Sequence, residues 1–243
     1  MSNDVFTGWR AACAAAVVLC YVPGACAQEV VGGWEGSAGR GYAFVAPSMT
    51  LHRSDPFSWI LRGAVSYLYY DLPAPGGATE VRSPGQSVGI ALRYTGPGVT
   101  ATLGPGYEVR QTRRSLASGN VTTEHQRGLT LDGNVFVQVT PRTVISVLGS
   151  YGKANDYHWV RVGAKQQIGG SAGGDSTGWH VGIEGTDQGN EDVKSRQIGA
   201  VLEAAFPRTR SSLQLRAGGS RRENPDGSKE SSPYFGVGYY QGF

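Results

Sequence analysis

Cysteine and long apolar segments are scarce in this sequence. Its three cysteines, Cys13, Cys20 and Cys26, all precede residue 28, so the segment 28–243 contains none. That segment therefore cannot be a disulfide-stabilised scaffold, and it cannot bind zinc through cysteine. It also lacks an apolar run of about 18 residues, which excludes membrane-spanning helices.

Charge is sparse as well. Asp, Glu, Lys and Arg make up 17% of the chain, and the formal net charge is only +3. The two signs are interspersed and no basic–aromatic motif occurs, so we expect no nucleic-acid partner. With 37 glycines and a mean hydropathy of −0.26, the composition fits neither a helical membrane protein nor an ordinary soluble domain.

The first 27 residues have the organisation of a secretory signal peptide. A short polar segment ends at Arg10, and an apolar run follows from Ala11 to Val22. Ala25-Cys26-Ala27 then provides the small-x-small pattern that signal peptidase recognises. We therefore expect residues 1–27 to be removed during export, with cleavage before Gln28.

Cleavage at this position leaves one domain, residues 28–243. A lipoprotein anchored through Cys26 is the alternative. The lipidation pattern needs an apolar residue three positions earlier, however, and Pro23 stands there. A cleaved signal peptide is therefore favoured over a lipid anchor.

Beyond residue 28, apolar and polar side chains alternate, and this period of two indicates β-strands whose faces meet different environments. From Val99 to Val109, every second residue is Val, Ala, Leu, Pro or Tyr, and the residues between them are Thr, Gly or Glu. The segments 129–139 and 198–206 repeat the pattern. Each is about ten residues long, the length that a tilted strand needs to cross the hydrocarbon layer.

The polar faces of these segments carry charges near mid-strand. In a barrel whose apolar face meets lipid, such side chains point into a wet lumen, where a charge costs little. The sequence therefore predicts an all-β fold, an antiparallel up-and-down transmembrane β-barrel. The candidate lumen-facing residues are Arg62, Arg93, Glu108, Asp132, Glu184, Arg196, Glu203 and Arg216.

Aromatic residues gather near the strand ends, as in the interfacial girdles of membrane barrels. These residues are therefore expected to face outward, at the level of the lipid headgroups. They are Trp59, Tyr69, Tyr70, Tyr94, Tyr107, Trp159, Trp179, Tyr239 and Tyr240.

Short and long connections alternate along the chain. Barrels of the outer membrane keep short turns in the periplasm and long loops outside. Because the last connection is long, the final strand ends in the periplasm, and the count closes at about twelve strands with 30–36 as the first. Short turns are expected at 53–56, 95–98, 140–142 and 207–210, and long loops at 72–85, 111–125, 187–194 and 221–232.

The chain ends in an aromatic strand. Phe235, Val237, Tyr239 and Phe243 share one face. Outer-membrane barrels typically end in such a strand, which their assembly machinery recognises. We therefore expect this machinery, acting through the Phe243 strand, to be one partner, and the lipid and lipopolysaccharide of a bacterial outer membrane to be others.

Several stretches resemble the cellulose biosynthesis protein BcsS family of alphaproteobacteria. One strand carries Gly182 and Glu184, a loop follows at Gly189-Asn190, and the next strand opens with Arg196 and carries Gly199-Ala200. The opening strands WEGSAGRGYAFVAPSMTL and WILRGAVSYLYYD and the end PYFGVGYYQGF are also similar. Val193 departs from the pattern, which has an aromatic residue there.

The resemblance implies an outer-membrane protein that acts in cellulose or exopolysaccharide secretion or attachment, with cellulose or the secretion components as partners. Two alternatives remain open. One is a small porin-like channel for ions or oligosaccharides, and the other is a plugged structural barrel. The family has no established catalytic residues to carry over.

No enzyme, cofactor or metal site is predicted. Of the four histidines, only His52 has a serine two residues away, and it lies beside an expected periplasmic turn. No nucleophile elbow, zinc-protease motif or P-loop occurs. Glu184 and Arg196 are expected to form an ion pair between neighbouring strands. Asp187, Glu191 and Asp192 form a small acidic loop that is expected to be solvated.

Overall fold

The computed structural model describes residues 28–74, 77–116, 118–170, 176–190, 193–224 and 226–243. The expected signal peptide and its cysteines lie outside these residues. Within them, no helix is both long and apolar enough to cross a membrane.

Twelve antiparallel strands of the described chain close into one barrel. Each strand pairs with its neighbours in sequence, and β1 closes the ring against β12. The predicted all-β, up-and-down barrel of about twelve strands is confirmed. The strands are β1 Glu29–Ser37, β2 Arg40–Ser54, β3 Phe57–Ala74, β4 Gly77–Gly96, β5 Val99–Ser115, β6 Val121–Thr140, β7 Thr143–Gly152, β8 Tyr157–Gly169, β9 Gly178–Gly189, β10 Lys194–Phe206, β11 Ser211–Glu223 and β12 Lys229–Gly242, with a 3-10 turn at Pro207–Thr209.

The two ends of the barrel differ. Both termini lie at one end, where the Phe243 amide donates to the Gln28 carbonyl at 2.9 Å. The tight turns that follow β2, β4, β6 and β10 lie at the same end. We name this end the terminal mouth and the opposite end the far mouth.

The expected long loops are largely strand, and this prediction was wrong. The pairing of β3 with β4 continues to Ala74↔Gly77, and that of β5 with β6 continues to Ser115↔Val121. The prediction followed the alternation of hydrophobicity, which ends where both faces of a strand meet water. Backbone pairing does not depend on that contrast, so polar strands continue beyond the apolar band at the far mouth.

The polarity of the barrel is inverted relative to a soluble protein. Large apolar side chains such as Leu129, Ile183 and Ile198 are 68%, 69% and 73% exposed on the outer wall. The buried side chains of the described residues are mostly polar or charged, and the largest fully buried ones among them are Tyr234, Ile60 and Val81. An apolar exterior around a polar interior is the arrangement that a lipid environment requires.

The aromatic girdle is smaller than expected. Consecutive residues of a strand point to opposite faces, so the doublets Tyr69-Tyr70 and Tyr239-Tyr240 cannot both face lipid. The register places Tyr70 and Tyr240 on the inner face. Trp159 also faces inward, with its ring 5.0 Å from the Arg161 guanidinium carbon.

The two faces can be distinguished with spin labels, because residues 28–243 contain no native cysteine. In the reconstituted barrel we expect labels at L131C and V135C to collide with oxygen dissolved in the acyl chains. Labels at D132C and N134C should collide instead with a water-soluble nickel chelate. Power-saturation EPR measures both accessibilities, and the opposite pattern would contradict the assigned faces.

Candidate functional site

The terminal mouth is bridged by an ion pair between strands that are not neighbours. Arg93 on β4 donates through Nη1 and Nη2 to the two carboxylate oxygens of Glu29 on β1, each at 2.7 Å. Ser48 donates to the same carboxylate at 3.2 Å. This two-pronged geometry fixes both side chains above a cavity of about 590 Å³ that opens at the terminal mouth.

The central part of the lumen is crossed by a cluster around Arg161. Arg161 on β8 donates through Nη2 to Glu35 on β1, and its Nε lies 3.8 Å from Glu184 on β9. The Glu184 carboxylate also accepts hydrogen bonds from Arg216 Nε at 3.2 Å and from the Tyr234 hydroxyl at 3.3 Å. All these groups are mostly buried, so a connected set of charges spans the interior.

A second group of charges lies closer to the terminal mouth. Lys165 Nζ donates to Glu203, and Gln214 Nε2 donates to the same carboxylate at 2.9 Å. Gln214 in turn accepts a hydrogen bond from Arg216. This chain of contacts links the group to the Arg161 cluster.

Two further ion pairs account for the other inner residues that the sequence predicted. Arg62 Nη2 lies 3.7 Å from Asp132 Oδ2, which is a long distance for an ion pair. Arg110 Nη2 donates to Glu108 at 2.6 Å and to Ser66 at 3.1 Å. Seven of the eight candidate residues therefore have the strand parity that points inward, and each of the seven has an opposite charge near it.

Arg196 is the exception, and the expected Glu184–Arg196 pair is wrong. Arg196 has the same parity as Ile198, on the outer wall, and its Nε donates to Asp187 at 2.9 Å. The prediction paired the correct neighbouring strands but not the correct residues. Arg196 aligns with Asp187, and both residues have the parity of the outer face. Glu191 and Asp192 of the expected acidic loop lie outside the described residues.

The far mouth holds a smaller cavity of about 160 Å³. Its lining includes two arginines, two tyrosines and a glutamine that point inward from four different strands: Arg40, Tyr42, Tyr157, Gln197 and Arg222. Glu35 also lines this cavity and is held by Arg161. The central ion pairs therefore lie between a cavity at each mouth.

A family model described as cellulose biosynthesis protein BcsS matches residues 28–243. The chain belongs to this family. No curated protein sequence matches it. The BcsS family indicates a role in cellulose biosynthesis and an outer-membrane barrel fold, and it is not a known class of enzymes.

Solved structures share the fold of this BcsS-family barrel at low sequence identity. The transport unit of the Escherichia coli autotransporter AIDA-I has a TM-score of 0.52 at 9% identity, covering 88% of this chain and 89% of that one. LpxR from Salmonella typhimurium has a TM-score of 0.51 at 11% identity, covering 88% and 100%. The β-domain of the Bordetella autotransporter BrkA has a TM-score of 0.49 at 16% identity, covering 88% and 98%. The matches to AIDA-I and LpxR show the fold alone, which is that of outer-membrane β-barrels.

Sequence reasoning missed several inner residues of this BcsS-family barrel. Arg161 stands between Val160 and Val162, and that alternation could have identified it. Glu35 lies in a glycine-rich strand where hydrophobic contrast is weak. Arg40 and Arg222 lie at polar strand ends, where no pattern distinguishes the inner face.

The inner and outer arginines of this BcsS-family barrel should differ in their effect on stability. Arg161→Ala leaves Glu35 buried without its cation, so we expect a loss of about 3–5 kcal/mol in the free energy of unfolding. Arg196→Ala removes an exposed pair and should cost less than about 1 kcal/mol. Urea unfolding in phosphocholine vesicles, followed by tryptophan fluorescence, measures both, and equal losses would contradict the inward placement of Arg161.

Proposed function

We propose that this chain is a closed accessory barrel of the outer membrane that acts in cellulose secretion or surface attachment. In this proposal it engages saccharide at the far mouth and does not thread a glucan through its lumen. The family supports the link to cellulose. The observation that carries the closed interior is the Glu35–Arg161 pair.

The position of that pair explains why it obstructs the lumen. In the closed ring, β1 and β8 are separated by four strands on one side and by six on the other. The bond between Glu35 and Arg161 therefore runs almost across a diameter. Glu184, Arg216 and Tyr234 crowd the same level. A passing sugar chain would have to break a buried ion pair, which costs several kcal/mol.

The orientation follows the general rule for such barrels. Their termini and tight turns lie in the periplasm, so in this proposal the far mouth opens outside the cell. Residues 1–27 serve as the signal peptide and are removed. The β12 strand that ends at Phe243 is the segment that the assembly machinery takes up. The apolar outer wall contacts lipid and lipopolysaccharide.

The proposed role requires no catalysis. Every inner carboxylate described above is engaged by a cation, which leaves none of them placed as a free general base. The family description names a role in cellulose biosynthesis and no reaction. A diffusion channel is the competing function, and conductance separates the two.

We expect deletion of the gene to reduce cellulose that stains with calcofluor, and the wild-type chain to restore it. The purified wild-type barrel should show no steady conductance in a planar bilayer. The E35A/R161A double variant should conduct, because both members of the cross-lumen pair are truncated. R196A is the matched control and should behave as wild type in both assays.

Two results would contradict the proposal. An unchanged amount of cellulose in the deletion strain would show that cellulose export does not need the barrel. Steady conductance by the wild-type barrel, with no increase in E35A/R161A, would show an open lumen and favour the diffusion channel. Each variant should first show a mobility shift on heating before gel electrophoresis, which reports a closed barrel.

A further inference from the structure

The far cavity contains a buried arginine whose donors are only partly used. Arg222 is 5% exposed. Its Nη1 donates to the Asp71 backbone carbonyl at 2.9 Å. Its Nε and Nη2 are buried and have no hydrogen-bond partner.

Arg40 shows the same deficit in the same cavity. Its Nε donates to Ser37 and one Nη2 hydrogen to Ser220, both at 2.6 Å, whereas the buried Nη1 has no partner. Arg40 and Arg222 line the same cavity. Two guanidinium groups with unused N–H donors therefore lie close together.

The unused atoms of Arg222 have a specific geometry. Nε and Nη2 form one edge of the planar guanidinium group and carry two parallel N–H bonds. That edge matches the two oxygens of a carboxylate or a phosphate, which is why arginine binds such groups in a two-pronged manner. A buried charged donor without an acceptor is unfavourable, so this edge indicates a missing oxyanion.

The nearby acidic residues do not supply the missing oxyanion at the Nε–Nη2 edge of Arg222. Asp71 offers Arg222 its backbone oxygen. Glu230 accepts from Asn224 Nδ2 at 3.3 Å, and Glu35 is held by Arg161. These carboxylates moderate the local charge, but none of them contacts the free edge of Arg222.

The cavity also contains a hydrogen-bond acceptor that has no donor. Gln197 lines it and has a buried side-chain oxygen, Oε1, with no hydrogen-bond partner. A hydroxyl group would satisfy this oxygen. The rings of Tyr42 and Tyr157 line the same space and offer apolar surfaces. A ligand with an oxyanion, hydroxyl groups and a ring that has an apolar C–H face has the chemistry of an acidic sugar.

We propose that the far cavity binds one acidic sugar residue through its oxyanion. The Nε–Nη2 edge of Arg222 and Nη1 of Arg40 take the carboxylate or phosphate, and Gln197 accepts a sugar hydroxyl. A volume of about 160 Å³ restricts the ligand to one residue or a chain end. The cavity lies inside the strand ring and not on the lipid-facing wall, which favours a saccharide outside the cell over an embedded lipid.

This inference rests on the proposed function in one respect, namely that the far mouth faces outward and meets saccharide. It adds the class of ligand. Cellulose itself is uncharged, so the site would recognise an anionic sugar that accompanies the polymer or modifies it.

Isothermal titration calorimetry on the refolded barrel, residues 28–243 in detergent, tests the site. Glucuronate and glucose 6-phosphate carry the two oxyanions, glucose lacks one, and inorganic phosphate lacks the sugar. We expect at least one of the two acidic sugars, glucuronate or glucose 6-phosphate, to bind and glucose not to bind. R222Q and R40Q should each weaken the binding about tenfold or more, since each removes a charged hydrogen-bond donor.

The control variant is R53Q, which removes an exposed arginine near the end of β2 at the terminal mouth and should bind as wild type does. R222K keeps the charge but lacks the paired donors, and it should bind more weakly than wild type. If R222Q fails the heat-mobility test for folding, R40Q and the ligand series on the wild-type barrel still decide the question.

Several outcomes would overturn the proposal. They are equal binding of glucose and glucuronate, binding of inorganic phosphate without either sugar acid, full affinity in R222Q, and no binding at all. None of them depends on cellulose staining or conductance. Failure of this site and failure of the proposed function can therefore be told apart.

Discussion

The closed ring of backbone hydrogen bonds is the constraint on which the rest of this barrel depends. Lipid offers no water to an unpaired amide or carbonyl group, so every strand must have two neighbours. The pairing of β1 with β12, from Glu29↔Gly242 to Ser37↔Tyr234, removes the last open edges. Once the ring is closed, strand alternation alone assigns each side chain to the lipid or to the interior.

The interior follows from that assignment. Charges that cannot face lipid are collected in a confined space, where they must be neutralised by one another. Glu35, Arg161, Glu184 and Arg216 do this across the ring, and Tyr234 adds a hydroxyl. The contacts that satisfy the charges also crowd the lumen, so in the proposed closed barrel the passage is blocked by electrostatic pairing. At the far mouth the pairing is incomplete, and Arg222 retains its unused edge.

Sequence reasoning succeeded where hydrophobic contrast is strong. Leu129, Leu131 and Val135 were assigned correctly to one face because polar residues separate them. It failed where contrast is weak or absent. The polar hairpins beyond the membrane were taken for loops, and Arg196 was placed inside because its partner was sought at Glu184 when the register aligns it with Asp187. Resemblance to the family supplied the link to cellulose, which no residue pattern contains.

The sequence by itself determined the barrel class, an approximate strand number and the polarity of each face, because alternation, strand length and the parity of connections are local properties of the chain. The tertiary structure decided which charges meet. Glu35 and Arg161 are 126 residues apart in sequence and come together only because the ring places β1 almost opposite β8. Contacts across a lumen depend on the stagger of the strands and on closure of the barrel, and the alternation within a single strand determines neither.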